Sequence, residues 1–391
     1  ISDVPLGAFL SGGVDSTIIV GLMAGLRSGE SIKTFSIGFE GDPRFDETRY
    51  ARVAATRYRT DHTPFTVTPQ SFELLERLVR LYDQPFGDSS AIPTYILSQL
   101  TRRQVTVALS GDGGDELFAG YVRFLAALAA DRVPQPVLAL ADRLCQTLSA
   151  DRRRSWIGAA KRFTAIARYP LPERYLRWMA FCRQPEDWLR ANGPLYRGSL
   201  GAHPAMRTLW GQSAGWPVLA RLLHLNFTDY LPNDLLVKAD RCSMAHGLEV
   251  RSPFLDTALI EYVAGLPDGM KAAGWQTKRI LRRACADLLP PEIQRRRKMG
   301  FGVPLGTWFR GRWREPLREY LESPGSRVAR YLHPERLCGL IDAHLAGRVD
   351  ASHELWLFLT LEVWLRQLER PRPCEFEPAL VVQHSGAPAA R

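Results

Sequence analysis

The first 125 or so residues alternate short apolar runs with segments in which apolar residues recur every three or four positions. Short apolar runs predict buried strands, and the longer spacing predicts helices with one apolar face. The expected strands cover residues 4–10, 32–39, 62–67 and 105–109, and the expected helices cover 16–26, 47–58, 69–82 and 91–102. This alternation predicts an α/β fold with a doubly wound parallel sheet covered by helices.

The β pattern fades after about residue 124, where Trp, Leu, Ala and Arg recur at helical spacings. We therefore divide the chain into an α/β core at 1–125 and a mainly helical part at 126–370 that packs against it. Residues 371–391 contain several prolines and a Ser-Gly pair, so we expect a mobile tail there.

The composition is that of an ordinary globular protein, with 46% hydrophobic and 24% charged residues among 391. Charged residues and prolines interrupt the most apolar stretch, 124–148, so no membrane-spanning helix is expected. Six cysteines lie far apart without a C-x-x-C pair, which argues against a zinc ribbon, an iron–sulfur site and a disulfide framework. We expect a soluble, cytoplasmic protein with reduced thiols.

The formal net charge of +10 raises nucleic acid as a partner. Most of the basic residues are arginines that alternate with acidic and apolar residues, as on solvated helix faces. Two basic clusters, at 152–154 with 161–162 and at 295–298, lack the interleaved aromatic residues of a single-strand binding surface. We interpret both as ordinary surface or local phosphate contacts, and we do not expect nucleic acid as a partner.

A glycine loop stands where the first expected strand passes into the first helix, at Ser11, Gly12, Gly13, Asp15 and Ser16. The glycines allow a tight turn, and the hydroxyls and free helix amides can hold a phosphate. No Lys-Ser/Thr pair follows, so this is not the P-loop of kinases and GTPases. A carboxylate beside phosphate requires a cation, so Asp15 predicts Mg²⁺. The alternative is a glycine-rich turn with a serine helix cap.

A second glycine loop follows the last expected strand and contains Ser110, Gly111, Asp112, Asp115 and Glu116. Ligands of open α/β sheets bind beyond the carboxyl ends of the strands, so both loops are expected to line one crevice. The three acids repel one another unless a metal or a cationic group lies among them. A solvated acidic helix start is the alternative.

The motif at 11–16 resembles the pyrophosphate loop of the ATP pyrophosphatases, also called PP-loop proteins. The motif at 110–121 narrows the resemblance to the synthetase domain of glutamine-dependent asparagine synthetases. Further motifs of that family follow in its order, at 45–47, 82–85, 230–241, 243–256, 277–282 and 297–302. The match runs from residue 1 to about residue 310, although 126–225 match only loosely.

The resemblance implies that ATP and aspartate give β-aspartyl-AMP and pyrophosphate, and that ammonia then gives asparagine and AMP. It also assigns the first loop, Ser11, Gly12, Gly13, Asp15 and Ser16, to the pyrophosphate and its Mg²⁺. Residues 1–125 would then be the nucleotide-binding part of the chain.

By the same resemblance, Leu10 and Ile37 would flank the adenine, and Ser110 and Gly111 would contact AMP and the substrate. Asp112 would stand close to the acyl-adenylate, where its carboxylate could accept a proton from the incoming amine.

Two further charged residues complete the implied machinery. Asp115 resembles the family's metal-linked acid and would share the metal with Asp15. Lys278 would pair with the departing phosphates, although a lone lysine among arginines can also be an ordinary surface residue. Four more residues could either contact the substrate or form buried ion pairs that brace two helices. They are Asp240, Arg241, Glu249 and Arg251.

The segment at 298–302 contains two glycines, which suits a mobile lid over a hydrolysable acyl-adenylate, and an inert surface connection is the alternative. His62 and His246 have no metal-ligand spacing, so we interpret them as structural.

The sequence begins with Ile1 and not with Met, so we expect a piece of a longer chain in which a glutaminase domain upstream supplies ammonia from glutamine. An ammonia-using fragment is the alternative, and a homodimer is left open. Other relatives form an intramolecular amide by the same adenylation, as β-lactam synthetases and lasso-peptide cyclases do, so the acceptor carboxylate is not fixed. A tRNA-modifying PP-loop protein and an inactive scaffold are further alternatives. The four retained charged residues, Asp15, Asp112, Asp115 and Lys278, argue against the scaffold.

Overall fold

The computed structural model describes residues 2–26, 31–39, 45–68, 72–147, 156–182, 185–190, 204–296 and 300–369. Five parallel strands form one sheet in the order β3-β2-β1-β4-β5. The strands are β1 (Leu6–Phe9), β2 (Lys33–Phe39), β3 (Asp61–Val67), β4 (Val107–Leu109) and β5 (Glu249–Arg251). The order changes direction on either side of β1, so the carboxyl ends of β1 and β4 open onto one crevice.

Helices connect the first four strands, as the sequence predicts for a doubly wound α/β fold. They are α1 (Val14–Leu26), α2 (Thr48–Tyr58), α3 (Glu73–Tyr82) and α4 (Ala91–Arg102). The bounds agree with the expected ones to within a few residues. The helix expected at 69–82 begins at Glu73, and 69–71 lie outside the described residues.

The rest of the described chain is mainly helical, as expected. Its α-helices are α5 (Gly114–Leu117), α6 (Val122–Asp131), α7 (Gln135–Thr147), α8 (Trp156–Ala167), α9 (Glu173–Met179), α10 (Pro204–Gln212), α11 (Val218–Leu225), α12 (Val237–Met244), α13 (Thr257–Ala264), α14 (Asp268–Lys271), α15 (Arg279–Ala284), α16 (Pro291–Gln294), α17 (Leu305–Arg310), α18 (Arg314–Leu321), α19 (Pro334–Leu345) and α20 (Ser352–Glu369).

Two elements of this half were not predicted. A π-helical segment, Asn226–Leu236, joins α11 to α12 and contains Pro232, which cannot donate a backbone hydrogen bond. Strand β5 has only three residues, too few to produce a readable pattern, and it exists because Val107 of β4 pairs with Glu249. The sheet is therefore completed by a strand from the helical half of the sequence.

Apolar residues are buried on both faces of the sheet. On one face, Phe35 packs in a core with the C-terminal helices, including Trp308 of α17 and Trp356 of α20. On the other face, Leu10 and Ile18 pack with α2, α13 and α15. Burial on both faces is typical of a parallel sheet and explains the continuously apolar strands.

Among the described helices, none combines the length and the apolar character that a membrane-spanning segment needs. The tail expected at 371–391 and the basic cluster at 152–154 lie outside the described residues.

Candidate active site

The first glycine loop connects β1 to α1 and has a backbone that glycine alone fits comfortably. Gly12 has a φ of +65°, and a Cβ added there would stand 2.2 Å from the carbonyl carbon of Tyr50. The Ser11 and Ser16 hydroxyls lie 3.1 Å apart, and the Gly13 amide donates to Ser11 Oγ at 3.2 Å. These local bonds hold the loop in one shape before any ligand binds.

The second glycine loop leaves β4 and packs directly on the first. A Cβ at Gly111 would come within 2.9 Å of the Asp15 Cβ, and one at Gly114 within 2.7 Å of Asp15 Oδ1. Gly113 has a φ of +88° and lies against Leu255. The two loops thus meet at the carboxyl ends of neighbouring strands, where the sequence placed them.

The meeting point of the loops is occupied by a buried lysine. Lys278 is 3% exposed and precedes α15 with a φ of 53°. Its Nζ forms ion pairs with Asp15 Oδ2 and with Asp115 Oδ1, the latter at 2.6 Å. Two buried carboxylates therefore share one ammonium.

Glycine is also required on the wall beside this ion-pair group. A Cβ at Gly120 would lie 1.9 Å from Asp115 Oδ1 and 2.2 Å from Lys278 Cε. Any side chain at Gly120 would have to displace the charged pair, which explains the glycine at this position.

The carboxylates of Asp15 and Asp115 have the chemistry that a magnesium ion requires. Asp15 Oδ1 is buried and makes no hydrogen bond with the described residues. The described residues contain no cluster of three or more His, Cys, Asp or Glu side chains arranged for a metal. Two carboxylates with one free oxygen suit Mg²⁺, which takes few protein ligands and completes its shell with waters and substrate phosphates.

A cavity of about 1390 Å³ opens over both loops. Eleven of the twelve predicted site residues line it: Leu10, Ser11, Gly13, Asp15, Ser16, Ile37, Ser110, Gly111, Asp112, Asp115 and Lys278. Gly12 does not line the cavity, because it packs against Tyr50 behind the loop. Leu10 and Ile37 are almost fully buried, so each can offer a ligand only a narrow edge.

Asp112 is held at the mouth of the second loop by a serine. The Ser110 hydroxyl donates to Asp112 Oδ2 at 2.8 Å and lies 2.9 Å from the Ser252 hydroxyl. The carboxylate is therefore fixed in the cavity wall rather than free to rotate.

The four residues left open are not part of the cavity lining. Arg241 donates to the Leu81 carbonyl at 2.9 Å, and Arg251 pairs with Glu249 at 2.6 Å. We expected that this pair, if it did not contact substrate, would be a buried ion pair between two helices. That prediction is wrong, because both residues lie on β5 and are about half exposed. A pair so exposed contributes little to stability.

Sequence reasoning missed the role of Arg296, which it placed in a basic surface cluster. Arg296 Nη1 donates to the Ser11 and Gly12 carbonyls at 3.1 and 2.9 Å, and its Nη2 lies 2.5 Å from Glu47 Oε1. The guanidinium also lies 4.2 Å from the Tyr50 ring centroid. The sequence gives no signal that separates Arg296 from its neighbouring arginines, since only the fold brings it to the loop.

Glu116, the third acid of the second loop, is buried. Burial, followed by the charge of Asp115, raises the pKa of Glu116 to about 7. The Tyr121 hydroxyl donates to Glu116 Oε1 at 2.5 Å. The Arg123 guanidinium lies 3.7 Å from the Tyr121 ring centroid and 4.9 Å from that of Tyr230, so the three side chains form a rigid wall.

A third charged group in the cavity consists of Asp88, Asp234 and Lys238. Asp234 and Lys238 lie in the motif at 230–241, but sequence reasoning gave them no role and did not group them with Asp88. Lys238 Nζ lies 2.5 Å from Asp88 Oδ2. Burial disfavours the charge on Asp88, but the Lys238 ammonium outweighs burial and lowers the pKa of that carboxyl. Burial and the nearby Asp88 raise the pKa of Asp234 to about 7.

The histidines have the structural surroundings that we expected. His62 contacts the Thr34 hydroxyl at 2.9 Å and the Ser36 hydroxyl at 3.1 Å, and burial lowers its pKa. Burial lowers the pKa of His246 to about 4, and its ring packs edge-on against Tyr95. Both imidazoles are therefore neutral at physiological pH.

The expected lid is described only in part, since Lys298 and Met299 lie outside the described residues. Gly300, Phe301 and Gly302 line the cavity. A Cβ at Gly302 would stand 3.1 Å from the ring of Phe45, which holds this segment close to the end of β2.

Comparison with known proteins agrees with the motifs. The family model described as asparagine synthase matches residues 1–366. The chain is 29% identical over 368 residues to asparagine synthetase [glutamine-hydrolyzing] 1 of Bacillus subtilis, covering 93% of this chain and 56% of that protein. It is 32% identical to a putative asparagine synthetase [glutamine-hydrolyzing] of Mycobacterium bovis, over 93% of this chain and 54% of that protein.

A more distant similarity is to the amidase chyE of Penicillium rubens, at 25% identity over 78% of this chain and 50% of that protein. The chain spans about half the length of the curated relatives it matches. With the family model covering nearly all of its length, the chain belongs to the asparagine synthase family.

Proposed function

We propose that this chain is the amide-forming part of a glutamine-hydrolysing asparagine synthetase. It would use ATP to adenylate the side-chain carboxylate of aspartate and would then transfer the acyl group to ammonia. The observation that carries the proposal is the Lys278 ammonium between Asp15 and Asp115, in a cavity bounded by both glycine loops. The names of the relatives support the choice of product.

The first loop is suited to the pyrophosphate of ATP. It lies at the N-terminus of α1, where free amides and the helix dipole favour an anion. Ser11 and Ser16 add hydroxyl donors, and Arg296 holds the loop from behind. These groups would stabilise the negative charge that develops on pyrophosphate as it leaves.

Asp15 and Asp115 are the residues that would hold Mg²⁺, because Asp15 Oδ1 is a buried oxygen without a hydrogen bond to the described residues. The ion would supply charge neutralisation to the phosphate oxygens. Lys278 contributes a fixed positive charge beside these carboxylates. Its ammonium would pair with the departing phosphates.

In the first step, a carboxylate oxygen of aspartate attacks the α-phosphorus, the bond to the bridging oxygen breaks, and pyrophosphate leaves. Ser110 and Gly111 would contact the resulting acyl-adenylate, while Leu10 and Ile37 flank the adenine. In the second step, ammonia attacks the acyl carbon and AMP leaves. Asp112, fixed by the Ser110 hydroxyl, would accept the proton that nitrogen releases.

The segment at 300–302 lines the cavity together with Phe45 and would exclude water from it. An acyl-adenylate hydrolyses readily, so closing this side of the cavity would protect it. A glutaminase domain upstream would supply ammonia from glutamine, as the names of the relatives suggest, and residues 126–370 would complete a site begun by 1–125.

The test is ATP–pyrophosphate exchange in the presence of aspartate, followed by asparagine formation from ammonium. We expect exchange that requires aspartate and is lost in Lys278→Met. Lys33→Ala, which removes a lysine paired with Asp61 on the surface, is the matched control and should exchange normally. Exchange with another carboxylate but not with aspartate would instead indicate a relative that forms a different amide.

A further inference from the structure

The third charged group of the cavity lies apart from the two glycine loops. It consists of Asp88 before α4, Asp234 in the π-helical segment and Lys238 in the first turn of α12. Lys238 is only 9% exposed, yet it lines the cavity. Three separate elements thus bring charged side chains to one part of the wall, which is costly unless the charges are paired with one another or with a ligand.

Within this group, the Lys238 ammonium is paired with Asp88. Lys238 Nζ lies 2.5 Å from Asp88 Oδ2, and Asp88 also accepts hydrogen bonds from the Ser90 amide and hydroxyl at 2.9 and 2.8 Å. The Asp88–Lys238 pair is neutral as a whole and is anchored at the start of α4. Asp234 is the remaining charge, so the group as a whole is acidic when Asp234 is ionised.

One oxygen of the Asp234 carboxylate lacks a hydrogen-bond donor in the part of the chain that the structure describes. Asp234 Oδ1 is buried and has no hydrogen-bond partner among the described residues. A buried carboxylate oxygen without a donor is unfavourable, so a cationic group that entered the cavity would be bound there. An ammonium group fits best, since it is compact and can donate three hydrogen bonds.

The wall between this group and the second glycine loop is continuous. The Tyr230 ring lies 6.2 Å from the Tyr121 ring, centroid to centroid, and Tyr121 in turn bonds to Glu116 beside Asp115. Arg123 lies against both rings and is held by Tyr175 and Asn226. A rigid wall of this kind keeps a substrate's two ends at fixed positions.

We propose that Asp234 binds the α-ammonium group of the amino-acid substrate, while Lys238 and Asp88 position Asp234. The inference rests on the proposed function and names the group by which the enzyme selects an amino acid over a simple dicarboxylic acid. Asp88 forms the short ion pair with Lys238, while Asp234 Oδ1 has no hydrogen-bond partner among the described residues and is available for the substrate.

The test compares two ligands that differ by this group alone, aspartate and succinate, in wild type and Asp234→Asn. Binding is measured by calorimetric titration with a non-hydrolysable ATP analogue and Mg²⁺ present. We expect the Kd for aspartate to rise about 10- to 100-fold in the variant, because a charge-assisted hydrogen bond is lost. The affinities for succinate and for the ATP analogue should stay within about twofold.

Asp229→Asn is the matched control, since Asp229 lies in the same π-helical segment, bonds to exposed Asn233 and is not part of the cavity lining. A second variant, Asp88→Asn, frees the Lys238 ammonium to pair with Asp234, and we expect it to weaken aspartate binding as well. It keeps the test valid should Asp234→Asn fold poorly.

An unchanged Kd for aspartate in Asp234→Asn, or an equal loss for aspartate and succinate, would overturn the inference. So would an absence of aspartate binding to the wild type. The proposed function is judged separately, by pyrophosphate exchange in the wild type. Normal exchange with an unchanged Kd in the variant would therefore reject the ammonium subsite and leave the proposed function standing.

Discussion

Lys278 and Asp115 form a buried ion pair of 2.6 Å, although one precedes α15 and the other begins α5. The same ammonium also contacts Asp15 in α1. One lysine thus pairs with a carboxylate from each of the two glycine loops and joins the loops at this point.

Replacing Lys278 by Met should affect both stability and activity. Two buried carboxylates would lose their partner, which typically costs about 3–5 kcal/mol. Exchange should fall by a factor of about 100 or more, the usual cost of a lost electrostatic contact in a transition state. Urea unfolding and pyrophosphate exchange measure the two effects. Normal exchange in a folded variant would show that Lys278 has no part in the chemistry.

Asp15→Asn tests the metal role of the first loop and also removes one of the two carboxylates that pair with Lys278. The amide keeps the size of the side chain but is a weak ligand for Mg²⁺, so we expect exchange to be lost while the far-UV circular dichroism is unchanged. Glu292→Gln, an exposed acid at the start of α16, is the control. Full activity of Asp15→Asn at low Mg²⁺ concentration would be evidence against a metal at this carboxylate.

Arg296 is expected to act as a positioning residue for the first loop. Arg296→Ala leaves Glu47 buried without its ion pair and frees the Ser11 and Gly12 carbonyls. We predict a rise of about tenfold in KM for ATP, a cost comparable to one lost hydrogen bond to a charged group. The neighbouring exposed arginine provides the control variant, Arg295→Ala.

Steady-state kinetics of both variants distinguish positioning from a general loss of stability. Arg296→Lys should recover part of the affinity for ATP, since an ammonium can pair with Glu47 but cannot form the planar fork. If Arg295→Ala raises KM as much as Arg296→Ala does, the loop contact is irrelevant to ATP binding.

The raised pKa of Glu116 makes stability depend on pH. Burial and Asp115 raise the pKa to about 7 from an ordinary value of 4.5, so the folded protein binds a proton more readily than the unfolded chain. The contribution of Glu116 to the stability of the ligand-free protein is therefore fully present below about pH 4 and is lost as pH rises from 4 to beyond 7.

Glu116→Gln should remove this dependence. A shift of this size corresponds to about 3 kcal/mol between pH 4 and pH 8. The free energy of urea unfolding, measured at both pH values, should therefore fall less in Glu116→Gln than in the wild type. Asp234 contributes in the same direction and is unchanged in this variant. Equal pH dependence in both proteins would contradict the assignment to Glu116.

The sheet and its first four helices could be predicted because each produces a local pattern. Strand β2 and helix α4 appear at or within one residue of their expected bounds. Strand β5 could not be predicted, since three half-exposed residues become a strand only by pairing with β4. The π-helical segment could not be predicted either, because it is defined by its packing and not by its residue types.

Within the site, both glycine loops and their acids could be identified from the sequence. Glycines at positive φ and hydroxyls at a helix start leave a signature in the residue types themselves. Arg296 and the Asp88–Lys238 pair could not be identified, because a buried ion pair looks like any two charged residues in a sequence.

The sequence by itself determined the α/β core, the two glycine loops and the family motifs, because each depends on residues close together in the chain. The tertiary structure alone decided that Lys278 lies between Asp15 and Asp115, that Arg296 holds the first loop, and that Asp234 stands in the same cavity. The physical reason is that burial and charge pairing depend on distances in space. Residues from remote elements meet there only once the helical half has packed onto the sheet.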